Sequence, residues 1–240
     1  MNKIIKQIKK MLHVAKPTYF NKNKYVKFYK KEAINDNSIL LISQYGKNIN
    51  GNIYYILKEL VNNSRYSNYN INVCVTKKSI EKVKALLQKN NLGNVKYVLN
   101  TSLEYYRLLA SSKYLITDTA LPYCYIKKEG QVVLNLWHGT PLKTLGRKDK
   151  AEFHRLGNIQ KNFVISDYLL YPNEYMMDHM IEDYMLSNLT DAKALLAGYP
   201  RNEVFFDSEL RQKIREEQFL TNKQVIVYMP TWHGLLGNGL

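Results

Sequence analysis

The strongest constraint on the fold is an alternation that begins near residue 38, in which short apolar runs bounded by polar turns are followed by longer segments of mixed polarity. Strands alternating with helices around a parallel sheet give this pattern, because each strand must return to the same edge of the sheet through a crossover. The spacing predicts strands at 38–43, 71–75, 95–99, 114–117, 132–136, 163–166, 194–197 and 225–229. It predicts helices at 51–63, 79–89, 102–111, 173–186 and 208–219. There is no internal repeat and no low-complexity linker, so the expected class is α/β with a parallel sheet. At 240 residues and 45% hydrophobic composition the chain buries a sizeable core, as one large domain or one domain with part of another.

Charge divides the chain further. The formal net charge is +15, and residues 1–31 hold ten lysines and no acid, which leaves the remaining body only mildly basic. Within that arm Ile4, Ile5, Ile8, Met11, Leu12 and Ala15 recur at helical steps, giving one apolar stripe and a cationic face. Such a helix suits an anionic membrane surface, where each nearby Lys or Arg contributes roughly 1 kcal/mol before screening. Tyr19, Phe20, Tyr25, Phe28 and Tyr29 would add interfacial aromatics. A helix packed on its own domain is the competing reading. Basic residues among aromatics also suit single-stranded nucleic acid, but no recognition motif of that kind occurs elsewhere and no nucleic acid is expected. Cys74 and Cys124 lie far apart, so neither a disulfide framework nor a metal site is indicated. With no apolar run near the roughly 20 residues of a membrane span and no secretory signal, the chain is expected in the cytoplasm, peripheral on the inner face of the membrane.

Candidate site residues fall where strands end, and in wound sheets ligands bind beyond the carboxyl ends of strands. Gly46 to Asn52 reads Gly-Lys-Asn-Ile-Asn-Gly-Asn after the first strand and opens a helix, so backbone N–H groups there suit a phosphate. It lacks the P-loop ending and the dinucleotide glycine spacing, and an ordinary turn explains it equally well. After the strand at 132–136 stand Trp137, His138, Gly139, Thr140, Pro141, Leu142 and Lys143. A histidine here can serve as general base; Gly139 permits close approach, Thr140 offers a hydroxyl, and Lys143 a charge suited to phosphate. Asp118 stands at a strand end, able to bind a hydroxyl or to cap the next segment. Ser166 ends another predicted strand, either lining the cleft or serving a turn. Arg201 is a phosphate contact or an ion-pair partner of Glu203.

The block from Gln131 to Asp149 resembles the signature of the CDP-glycerol glycerophosphotransferase family, the teichoic-acid primases and polymerases. Further blocks follow in that family's order: Ser43 to Asn52, Tyr114 to Pro122, Gly198-Tyr199-Pro200-Arg201-Asn202 and Tyr228-Met229-Pro230-Thr231-Trp232. The resemblance runs over residues 38–233 and implies a GT-B-like fold, with a Rossmann-type N-terminal domain and only the start of a second. It implies a basic arm at 1–36, an acceptor domain at 37–206, and at 207–240 a linker helix and first strand of a nucleotide-binding domain. The implied reaction moves glycerol phosphate from CDP-glycerol, or a related polyol phosphate such as that of CDP-ribitol, to a hydroxyl of a lipid-linked or polymer acceptor. His138 is then the base, with Ser43, Gly46, Asn52, Asp118, Gly139, Thr140, Lys143, Ser166, Arg201 and Thr231 as substrate contacts and no cofactor or metal. Two departures stand out: family members are usually longer, and His233 stands where Arg is common. They leave open part of an active enzyme, truncated or completed by a separate chain, an inactive remnant, and a non-catalytic acceptor- or membrane-binding module; a GT-B glycosyltransferase using a nucleotide sugar is a further alternative, against which the block around His138 argues.

Overall fold

The computed structural model describes residues 23–142, 144–150 and 153–229. The chain falls into two compact units, residues 1–201 and 202–240. The first unit is built on seven strands: β1 (Asn35–Ile42), β2 (Asn70–Val75), β3 (Lys96–Leu99), β4 (Ser112–Thr117), β5 (Val132–Asn135), β6 (Tyr168–Tyr171) and β7 (Lys193–Leu196). They pair in the order β3-β2-β1-β4-β5-β6-β7, every neighbour parallel. Helix α1 (residues 23–31) precedes β1, and the crossovers carry α2 (Gly51–Asn62), α3 (Ile80–Lys89), α4 (Leu103–Ser111), α5 (Leu156–Val164) and α6 (Glu174–Asp183).

Because successive strand residues face opposite sides, β1 feeds two cores at once. Ile39 and Leu41 join the cluster containing Ile53 and Leu57 of α2 and Val83 and Leu87 of α3, whereas Leu40 and Ile42 join Tyr105, Tyr106 and Leu109 of α4. Strand order reverses between β1 and β4, the neighbours of the central pair. In an open parallel sheet that reversal leaves a crevice at the carboxyl ends, since the connections leave in opposite directions.

Three expectations need correction. Residues 163–166 are not a strand; they hold the end of α5, and the strand begins at Tyr168. Leu156, Ile159 and Phe163 recur at helical steps with Leu156 and Phe163 buried, so the run Phe163-Val164-Ile165 is the apolar end of a helix. A short buried helix end and a short buried strand look alike in sequence. Ser166 therefore lies before β6, at the amino end of the strands, and its hydroxyl donates to the Asn162 carbonyl at 2.7 Å. That removes it from the crevice. Second, residues 225–229 form no strand: they are exposed, and no partner strand stands beside them among the described residues. β-branched composition favours extension, but a strand needs a ladder to hold it. Third, the second half of the basic arm belongs to the domain. Tyr25 is fully buried with its hydroxyl donating to the Ile126 carbonyl at 2.6 Å, and Phe28 and Tyr29 pack against the same cluster. Tyr25 is a core residue and is not available to an interface, Phe28 and Tyr29 are half-buried against that core, and Tyr19 and Phe20 lie outside the described residues, as does all of 1–22.

In the second unit, α7 (Ser208–Glu217) is capped by Asp207, whose carboxylate accepts from the Leu210 N–H at 2.8 Å. Arg215 closes its other end by donating to the Leu220 and Lys223 carbonyls.

Candidate active site

The crevice at the strand reversal is bridged by one carboxylate. Asp118 follows β4 and is 4% exposed; it accepts from the Ser43 hydroxyl at 2.8 Å and from the Gln44 N–H at 2.8 Å, both just after β1. Burial pushes its carboxyl above the ordinary Asp range, while the Gln44 and Ser43 hydrogen bonds and the nearby His138 oppose the shift. The main chain needs this support, because Gln44 and Tyr45 both take positive φ, 46° and 57°. Gly46 follows at φ +80°, and a Cβ there would stand 3.1 Å from Cys74 Sγ and 3.1 Å from the Val75 carbonyl carbon. Its carbonyl accepts from Thr76 N and from Ser79 Oγ. Gly46 is thus required by packing between β1 and β2, a role that the sequence reading assigned to phosphate contact.

His138 sits one strand away, after β5. Its Nδ1 is 2.9 Å from the backbone carbonyl of Asp118. A carbonyl only accepts, so Nδ1 must carry the proton, and in the neutral ring the lone pair is left on Nε2. The ring is exposed and stacks on Trp137 at 4.3 Å between centroids and 26° between planes. Trp137 takes φ 48°, unusual for a bulky side chain; its N–H donates to Asn135 Oδ1 at 3.0 Å and its ring packs against Phe163 and Tyr184.

Arg201 closes the other side. Its guanidinium donates to the His138 carbonyl at 3.1 Å and lies 4.6 Å over the Tyr199 ring, and its N–H donates to Asn52 Oδ1 at 3.4 Å. Asn52, in the first turn of α2, is 2% exposed, and its Nδ2 is buried without a partner. Asn50, the residue before α2, makes no side-chain cap, and the first turn carries no acid. Free N–H groups at a helix start next to a guanidinium favour an anion. Tyr199 is held below: its hydroxyl donates to Met176 Sδ at 2.9 Å and meets the Thr140 hydroxyl, while burial raises its pKa. Gly139 has no described atom within 4 Å of where a side chain would extend, so the chain is open there.

Of the residues proposed from sequence, Ser43, Asp118, His138, Thr140, Asn52 and Arg201 are linked by these contacts, Gly139 stands open beside them and Gly46 lies in the same turn. Lys143 and Thr231 lie outside the described residues. Sequence reasoning passed over Trp137 and Tyr199 as site residues, although both stand inside the quoted blocks next to His138 and Arg201. A bulky aromatic immediately before a candidate base or two before a candidate arginine was the available signal. Among the described residues no cluster of three His, Cys, Asp or Glu side chains could hold a metal ion.

An open, all-parallel, doubly wound sheet with a histidine, a buried aspartate and an arginine gathered at its strand reversal defines a Rossmann-type domain with a crevice chemically suited to an anion and a candidate base. The chain belongs to the CDP-Glycerol:Poly(glycerophosphate) glycerophosphotransferase family, whose pattern matches residues 24–235. It is similar to the teichoic acid poly(glycerol phosphate) polymerase of Staphylococcus epidermidis, 29% identical over 95% of this chain and 32% of that protein. It is also similar to the protein of the same name from Bacillus spizizenii, 28% identical over 82% of this chain and 50% of that one. The chain thus spans about a third to a half of these relatives. The solved structure of the wall teichoic acid polymerase TagF matches with a TM-score of 0.65 at 22% identity, over 89% of this chain and 52% of that one, which establishes a shared GT-B-like fold.

Proposed function

We propose that this chain forms the acceptor side of an enzyme that transfers glycerol phosphate, or a related polyol phosphate, from a CDP-activated donor to a hydroxyl of a lipid-linked or polymer acceptor in teichoic-acid-like polymer synthesis. The observation that carries the proposal is the fixed tautomer of His138. With Nδ1–H committed to the Asp118 carbonyl, Nε2 is the free base on an exposed ring at the crevice. Nε2 takes the proton of the acceptor hydroxyl as its oxygen attacks the β-phosphorus of the donor; the bond from that phosphorus to the bridging oxygen breaks, and CMP leaves with the electron pair. Arg201 and the open first turn of α2 favour charge on the phosphoryl oxygens, with Lys143 as a further cation. Asp118 acts through His138 and the 43–46 turn and does not touch substrate. A second half, continuous with this chain or separate, supplies the donor nucleotide site.

The test is CMP release from CDP-glycerol by the protein with a complete donor half and a glycerol-phosphate primer. His138→Ala is expected to lower the rate by about 10²–10⁴-fold, the range of a positioned general base. A rate within threefold of wild type would refute the assignment. Residues 1–22, with six of the arm's ten lysines, are proposed to hold the protein reversibly on anionic lipid at the inner face of the membrane. Among the described residues no helix is long and apolar enough to cross a membrane. Salt-insensitive binding to phosphatidylglycerol vesicles, or equal binding after removal of 1–22, would exclude this role.

A further inference from the structure

Three strands from His138, at the carboxyl end of β2, a cleft of about 480 Å³ is lined by Lys47, Thr76, Lys77, Lys78, Ser79 and Lys82. Its four lysines are exposed. Among the described residues none of their side chains makes an ion pair or hydrogen bond, unlike Lys84 and Lys96 nearby, which are paired with Glu81 and Glu104. Glu81, the acid in the first turn of α3, pairs with Lys84 at 3.5 Å. The polar groups of the floor are already used: Ser79 Oγ donates to the Gly46 carbonyl at 2.6 Å and accepts from Thr76 N at 2.9 Å. The cleft therefore offers unspent positive charge on a rigid floor, suited to a ligand bound by charge along its length and unsuited to a small molecule recognised by hydrogen-bond pattern.

The cleft is tied to the candidate active site through the turn after β1. Lys47 follows Gly46 in the turn whose Ser43 and Gln44 hold Asp118, and Asp118 in turn holds His138. Along the carboxyl edge the order is β2, β1, β4, β5, so the cleft and His138 are about 14 Å apart at three strand spacings. A few repeats of an extended polyol phosphate chain span that distance. We infer that the lysine cleft at the β2–α3 turn binds the phosphodiester backbone of the polyol phosphate acceptor chain a few repeats back from the hydroxyl presented to His138. This rests on the acceptor reading above for the identity of the polyanion, and on the cleft alone for its chemistry.

Four lysines that neutralise successive phosphates should give salt-dependent binding that grows with the number of repeats. The probe is poly(glycerol phosphate) of defined length, titrated against the full chain by fluorescence anisotropy at several salt concentrations without any donor, so that no turnover is required. Lys77→Gln/Lys78→Gln/Lys82→Gln is expected to weaken binding at least tenfold and to reduce the slope of log affinity against log salt by about 2. A control triple, Lys89→Gln/Lys150→Gln/Lys193→Gln, removes as much charge from exposed positions elsewhere and is expected to bind within threefold of wild type. The assay involves no donor and no proton transfer, so a failure of the base assignment leaves its readout unchanged and is distinguishable from a failure of the cleft.

Equal losses in the two triples would overturn the inference in favour of general charge attraction. So would glycerol 3-phosphate binding as tightly as the polymer, which would indicate a single-phosphate pocket. Single-stranded DNA of equal charge losing affinity in the cleft triple while the polymer does not would make the cleft a nucleic-acid surface and also overturn it.

Discussion

Asp118 is the residue at which stability and reactivity are most directly separable. Replacing it by Ala removes the acceptor of two hydrogen bonds, each 2.8 Å long, from the Ser43 hydroxyl and the Gln44 N–H. Bonds to a charged group contribute about 1.5–3 kcal/mol each, so their joint loss is about 3–6 kcal/mol. Part is recovered, because the carboxylate itself is disfavoured by burial, as its raised pKa records. The expected net cost is about 2–3 kcal/mol. Asp118→Asn behaves differently, since the amide oxygen can accept from Gln44 N–H while the amide nitrogen donates to Ser43 Oγ with its hydroxyl turned outward; its cost should stay near or below about 1 kcal/mol. Urea denaturation followed by circular dichroism measures both. In the completed enzyme Asn should keep CMP release within about tenfold, because the contact holding His138 is the backbone carbonyl, whereas Ala lets the 43–46 turn and His138 move and should lose about 10²-fold. If Asn abolished turnover as fully as His138→Ala while remaining folded, the carboxylate would act on substrate and the positioning role would be wrong. If Ala cost less than about 0.5 kcal/mol, the hydrogen-bond account of the turn would fail.

Gly46→Ala places a methyl at φ +80° within 3.1 Å of the Val75 backbone, which cannot rotate aside; with about 1–2 kcal/mol for the left-handed conformation and more for the crowding, a loss of about 2–4 kcal/mol in urea titration is expected. Gly139→Ala meets open space and should cost under about 1 kcal/mol, so any large loss of turnover there reflects the crevice and not the fold; similar stability losses in the two variants would contradict this assignment. Glu104 is held down to about 2 chiefly by its hydrogen bond to Arg107, with Lys96 assisting. A depressed carboxyl stabilises the fold fully above its unfolded value and loses that contribution as pH falls through the folded one, so the window runs from about 4.5 down to about 2. With the side chain 34% exposed, screening reduces the effect to about 1 kcal/mol, and Glu104→Gln should flatten thermal stability against pH in that window alone. An unchanged profile would show the pair to be without effect.

The sheet was largely legible because six of its seven strands are short apolar runs set between turn residues, β1 and β2 being buried along most of their length, and such runs admit few alternatives between turns. β6 was the exception. Its residues Tyr168–Tyr171 and the end of α5 at Phe163 to Ile165 form two apolar runs close together, and only one can be the strand. The deciding contact, Asn162 Oδ1 accepting from the Leu121 N–H at 2.7 Å, ties α5 to a loop about 40 residues earlier, and no local pattern announces a pairing of that range. The error carried a functional consequence, since it moved Ser166 to the wrong edge of the sheet. Residues 225–229 failed for the opposite reason: the local pattern was that of a strand, and a ladder partner is a property of the surroundings. Asp118 and Ser43 could each be placed at a strand end from sequence, but that they meet follows from β1 and β4 being neighbours, which strand order alone decides.

The least legible feature of the candidate site is the one that aims it. A left-handed residue is ordinarily Gly or Asn, so nothing in the letters marks Trp137 as taking φ 48°. That conformation costs about 1–2 kcal/mol, and it persists because the indole is 8% exposed against Phe163 and Tyr184, where the loss of a buried aromatic side chain costs about 3–5 kcal/mol. Core packing therefore outweighs the local backbone preference. The turn it enforces sends the next residue outward, stacked on the indole and within reach of the Asp118 carbonyl. His138 is consequently oriented from two sides, by an aromatic anchored in the core below it and by the carbonyl of the adjacent strand end, and neither depends on a bound ligand. A base whose ring orientation and tautomer are fixed before substrate arrives needs no reorganisation at the moment of proton transfer, which is what the crevice would require of it.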